Sequence, residues 1–168
     1  ANSKGDFKLA AEILGPAAKD FATNPEILFA YSETLRTGDK PASLDLLNKV
    51  LEINTVFAPA LHRVAETQID AEDYSAAETT LAEVLKVNPH SPESHGLQAV
   101  IHHLRYAPEA EAASREAAMK FCLKSAPVDH LIGRKLSQKY RFAEGSAYQR
   151  RALQADPDFV EAQIQLAQ

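Results

Sequence analysis

One cysteine, Cys122, stands in 168 residues, so no internal disulfide can staple this chain. Tryptophan is absent, aromatics make up 7% and there are 6 glycines. Alanine, leucine and glutamate fill the space instead, a composition that favours helix over sheet. The longest apolar runs are far too short to cross a bilayer, and Ala1 to Asp6 are polar, without the apolar core of a signal peptide. The motifs of common catalytic sites are missing too. There is no glycine-rich phosphate loop, no HExxH, no CxxC and no Gly-x-Ser-x-Gly elbow. These absences point away from an enzyme and away from a cofactor. The lone Cys122, beside Phe121 and Leu123, reads as a small packing residue.

What the chain does have is a period. Ala65, Ala99, Gly133 and Ala167 stand 34 residues apart, as do Val50, Val84, Ala118 and Ala152, and Leu51, Leu85, Met119 and Leu153. Pro25, Pro59 and Pro127 share the grid. Small residues recurring at fixed spacing mark places where two backbones approach closely, and a period of this length indicates one helix–turn–helix unit stacked on copies of itself. Apolar residues, at 45%, suffice for a continuous core.

Four full units follow: 24–57, 58–91, 92–125 and 126–159, with partial units at 1–23 and 160–168, in a single repeat domain expected to be an excerpt of a longer chain. Each unit is expected to hold a helix A and a helix B. In the second, helix A runs from about Pro59 to Ala71 with Leu61, Val64, Ala65 and Ile69 at helical spacing. Asp73 or Ser75 caps helix B, Tyr74 to Val87, and Asn88-Pro89 ends it. In the first, the helices span about Glu26–Arg36 and Pro41–Ile53. There Thr55 replaces the terminating proline, which predicts a looser turn. The third unit is irregular, because Glu111 and Arg115 fall where a small and a bulky apolar residue stand elsewhere. Its helix B is therefore expected to shift in register, packing through Ala112, Ala113, Ala117, Met119 and Phe121.

The grid resembles the tetratricopeptide repeat (TPR). That family places small residues at unit positions 8, 20 and 27, here Tyr31, Ala65, Ala99 and Gly133, then Ser43, Ala77, Glu111 and Gly145, then Val50, Val84, Ala118 and Ala152. Position 32, proline in the family, holds Thr55, Pro89, Leu123 and Pro157. The second and fourth units match well and the third poorly. The resemblance implies an all-α fold, a right-handed superhelical solenoid of antiparallel helix pairs with about nine to ten helices. It also implies that the A helices line a concave wall, so that the peptide-binding groove would be built from Leu28, Ser32, His62, Glu66, Ile69, Val100, His103, His130, Arg134 and Gln138. The Lys/Asn pattern with which some members grip a C-terminal carboxylate is missing, since the corresponding positions hold Leu28 and Ser32, or His62 and Glu66.

Two other chemistries compete with this reading. His95 and His102 share a helix face, with His103 adjacent, and His62 or His130 could complete a metal site. Arg134, Lys135, Lys139 and Arg141 with Tyr140 form a short basic stripe, but the overall charge of −5 and its confinement to one unit argue against nucleic acid. Charge is uneven: from Arg115 to Arg151 nine Lys or Arg face three Asp or Glu, net +6, which reads as solvated helix surface. The expected function is a protein-interaction scaffold, in a larger and bacterial assembly or chain, that binds a partner peptide or helix. It involves no nucleic acid and no membrane insertion, and self-association through open solenoid ends is a further expectation. The alternative is a rigid spacer for a catalytic or membrane domain elsewhere. A histidine metal site ranks third.

Overall fold

The computed structural model describes residues 6–122 and 125–167. Among them are ten α-helices and no strand: α1 (Phe7–Asp20), α2 (Pro25–Leu35), α3 (Lys40–Ile53), α4 (Ala58–Asp70), α5 (Tyr74–Val87), α6 (Pro92–Leu104), α7 (Pro108–Met119), α8 (Ala126–Gln138), α9 (Phe142–Ala155) and α10 (Val160–Ala167). Lys40, Tyr74, Pro108 and Phe142, the first residues of four helices, stand one period apart. So do Ala58, Pro92, Ala126 and Val160. Even-numbered helices from α2 onward are the A helices.

The local chemistry repeats with the period. Asn24 and Ser91 cap the starts of α2 and α6, each accepting backbone N–H groups of its own first turn. Asp39 and Asp73 do the same for α3 and α5. After helix B, Asn54 and Asn88 each accept from the N–H two residues on, at 3.1 and 3.2 Å. The turn at Thr55 is thus no looser than that at Pro89, contrary to expectation. The asparagine side chain, rather than the proline, closes both turns.

The chain divides into two compact units, residues 1–64 and 65–168. In the first, Ala18, Leu28, Leu47, Val50 and Ala60 are buried, with Phe29 and Phe57 in edge contact at 5.6 Å. In the second, one core runs through Ala65, Ile69, Ala77, Leu81, Leu97, Ala99, Val100, Ile101, Ala118, Ile132 and Leu136. A smaller cluster joins Ala126, Ala152 and Ala162. α10 also leaves Val160 and Ile164 exposed.

Small residues let α8 and α9 cross closely. A Cβ on Gly133 would lie 2.8 Å from the Gly145 carbonyl oxygen, and one on Gly145 equally close to that of Gly133. Backbone therefore meets backbone at unit positions 8 and 20.

The third unit departs from expectation. α7 begins on the grid, at Pro108, and buries Ala118, while Ala112, Ala113 and Phe121 are exposed. Its register is not shifted. Proline suits a first helical turn, and the polar Glu111 and Arg115 find polar partners, so no slip is needed to hide them. Leu123 lies outside the described residues. Cys122 follows α7, half-buried against the core, its thiol donating to the Ala118 carbonyl at 3.3 Å.

Candidate functional site

The residues expected to line an inner wall fall into two groups. Leu28, Ser32 and His62 are buried in the first unit, and the Ser32 hydroxyl donates to the Phe29 carbonyl. In the second unit Glu66, Ile69 and Val100 are buried. His103, His130 and Arg134 are half-buried, and Gln138 is exposed. The accessible part of the wall in that unit is therefore the polar row of α6 and α8, carried on the buried Val100, Ile132 and Leu136.

Ion pairs tie α4 to α8 within this unit. Arg134 donates to Glu66 at 2.9 Å, Lys135 to Asp70 at 2.7 Å, and Lys139 to Glu72 at 2.9 Å. The Lys135 side chain is 1% exposed, with its ammonium also 3.9 Å from Glu66. Arg141 packs on the Tyr106 ring, bonds to its hydroxyl and lies 3.9 Å from Glu144. The basic stripe of the sequence is thus largely neutralised in the fold. Glu66 and Arg134, two periods apart at the same helix-A position, were legible as a spacing but not as a pair.

A second polar network surrounds α7. Arg115 grips Asp129 of α8 through two bonds, Nε to Oδ1 at 2.6 Å and Nη2 to Oδ2 at 2.7 Å, with Asp129 1% exposed. That hydrogen-bonded carboxylate raises the arginine pKa above its ordinary value. Glu111 receives His103 Nδ1–H on Oε2 at 3.0 Å and the Tyr148 hydroxyl on Oε1. Burial, and then this bond, push the phenol pKa up. The guanidinium of Arg151 lies 4.8 Å from the centre of the Tyr148 ring. Pro108, Ala112 and Met119, with Glu111, Arg115, Tyr148 and Arg151, line a cleft of about 660 Å³. Sequence reasoning misses this cleft. Its signal is the pair of grid violations at Glu111 and Arg115, which by themselves read as a packing defect.

The histidines do not converge. His95 sits between Gln98 Oε1 and the Pro89 carbonyl, His103 on Glu111, and His130 donates to Gln149 Oε1 at 2.9 Å. Among the described residues no group of three His, Cys, Asp or Glu could hold a metal ion. None of the described helices is long and apolar enough to cross a membrane.

Comparison with known proteins bears on the fold. Residues 35–101 match the family described as tetratricopeptide repeat. No curated protein matches the sequence. Among solved structures, TTC0263, a thermophilic TPR protein of Thermus thermophilus, superposes with a TM-score of 0.73 at 16% identity over 98% of this chain and 91% of its own. MamA from Desulfovibrio magneticus RS-1 gives 0.62 at 16% identity, over 94% and 89%. YrrB, described as a TPR protein with an unusual peptide-binding site, gives 0.60 at 15% identity, over 91% and 79%. Residues 35–101 thus carry the tetratricopeptide repeat match, and the 34-residue hairpins along the chain share the fold of those solved proteins.

Proposed function

We propose that this chain is a non-catalytic protein-interaction scaffold, docking a peptide or helix of a partner against the polar row of its A helices. One observation carries the reading. His103 on α6 and His130, Arg134 and Gln138 on α8 are accessible side chains mounted on a buried, well-packed support. Polar groups held on rigid elements fix the orientation of an extended or helical ligand, while apolar anchors of that ligand supply affinity. The peptide-binding description of YrrB, a protein of like fold, accords with this use. Lys135 and Lys139 are spent on pairs with Asp70 and Glu72 that hold the helices together, a division of labour suited to a scaffold.

The test is a photo-crosslinker placed at Gln138 in the full chain, with mass-spectrometric identification of what it captures. Recovery of one partner, reduced at least fivefold by the double variant Arg134→Gln/Gln138→Ala assayed from a different crosslinker position, supports the reading. Arg134→Gln retains a donor for Glu66, so the fold is preserved. Equal recovery from the double variant rejects the wall and leaves the spacer alternative.

A further inference from the structure

We propose that the cleft between α7 and α9 is a second docking site, for an acidic partner segment that carries an apolar residue beside its carboxylates. This site lies on the B helices and is independent of the A-helix reading above.

Three observations converge on it. The first is the balance of donors and acceptors. Both oxygens of Glu111 are occupied, by Tyr148 and His103, and both oxygens of Asp129 by Arg115. Arg115 spends Nε and Nη2 on that carboxylate, which leaves Nη1. Arg151 stacks on the Tyr148 ring and Lys120 on the Phe121 ring, and neither pairs with a carboxylate among the described residues. What the cleft still offers a ligand is thus mostly cationic N–H, with Glu116 the one acidic side chain of its lining outside these pairs. A cation lying over an aromatic face keeps its donors available while the ring fixes its position.

The second observation is where the positive surplus of residues 115–151 ends up. Arg134, Lys135 and Lys139 are taken by acids of α4 and the following turn, Arg141 lies near Glu144, and Arg115 is taken by Asp129. Lys120, Arg150 and Arg151 are the described cations of that stretch left without such a partner. Lys120, at the end of α7, and Arg151, on α9, line the cleft, while Arg150 stands elsewhere on α9.

The third is shape and surface. A volume of about 660 Å³, walled partly by Pro108, Ala112 and Met119, has room for a few side chains and an apolar strip to receive one of them. Glu111 and Arg115 are each tied to a buried partner, Tyr148 and Asp129, and both line the cleft where the grid elsewhere has a small and a bulky apolar residue.

Charge attraction of this kind steers association and weakens as salt screens it. The probe is a fluorescein-labelled peptide, Glu-Glu-Leu-Glu-Glu, titrated against the full chain by anisotropy, beside a Lys-Lys-Leu-Lys-Lys control. Binding of the acidic peptide only, weakening with added NaCl and at least tenfold weaker for Lys120→Glu/Arg151→Glu, is the expected result. Both substituted residues are exposed, so the core is untouched, and the same double variant should gain affinity for the basic peptide. Arg134→Gln/Gln138→Ala should leave the acidic peptide bound as in wild type, which separates this site from the A-helix wall. Failure of the acidic peptide to bind, equal binding by the charge-reversed variant, or full displacement by millimolar inorganic phosphate would each overturn the proposal. The last would reduce the cleft to a small-anion site.

Discussion

Glu72, Tyr106 and Tyr140 stand one period apart and share a left-handed backbone, with φ of 64°, 56° and 61°. Each closes the turn between helix A and helix B in the same way. The N–H of the next residue reaches back to the helix-A carbonyl five positions earlier, from Asp73 to Gln68, Ala107 to His102 and Arg141 to Leu136, all at 2.9 Å. This is the helix-ending motif that ordinarily takes glycine, because a Cβ there crowds the following carbonyl by roughly 1–2 kcal/mol. Tyr140 is 82% exposed and touches Phe142 only edge-on. Tyr140→Gly should therefore stabilise the chain by about 0.5–1 kcal/mol after the entropy glycine adds to the unfolded state. A urea midpoint that rises with unchanged slope checks it; a falling midpoint would mean the ring contact outweighs the strain. The sequence hid this position. Glu72-Asp73 reads as a break in the apolar pattern, but neither glutamate nor tyrosine announces a left-handed turn. The residue one period before Glu72 is Gly38, and that turn closes differently, Asp39 donating to Leu35 at 2.7 Å.

At the scale of elements, α7 shows which features a sequence yields and which it withholds. The length of its unit was legible from the period, but the polar Glu111 and Arg115 read as a shift in register that the helix, starting at Pro108, does not have. Its polar partners were not legible, because Arg115 and Asp129 meet through helix packing and no local pattern links them. The pair is unequal: Asp129 is almost fully buried, while the Arg115 side chain is 26% exposed. Removing the arginine strands a buried carboxylate, and removing the aspartate leaves a guanidinium that can turn to water. Arg115→Met should thus cost about 3–5 kcal/mol, Asp129→Leu less, and the double variant less than Arg115→Met alone. Thermal melts of the four proteins complete the cycle; additive losses would show that the two side chains do not act as a pair. The candidate wall has the same character. His103 and Gln138 could be placed on their helices from spacing alone. That Val100 would be buried could not, since burial depends on what packs above a helix face, and Ile69, which helical spacing had already set among the apolar residues, was misplaced on the wall.

At the scale of the whole chain, the period was readable because it records the backbone. Hairpins of fixed length need small residues at fixed crossings, so thirty-four-residue spacing survives even where side chains diverge. The energetics should follow the same logic, with stability distributed over neighbouring hairpins rather than pooled in one core. Gly145 offers the sharpest probe. An added Cβ would sit 2.8 Å from the Gly133 carbonyl oxygen, a backbone atom that cannot swing aside as a side chain can. Gly145→Ala should therefore cost roughly 1–3 kcal/mol by forcing α8 and α9 apart. Hydrogen exchange then reads where the loss is felt. Amides of α8 and α9 should exchange faster, by a factor of about 5 to 150 for that cost where opening limits exchange, while those of α2 and α3, in the other compact unit, keep their wild-type rates. A uniform acceleration in both units would instead mean that the chain opens as one block, and nearest-neighbour stacking would not describe its stability.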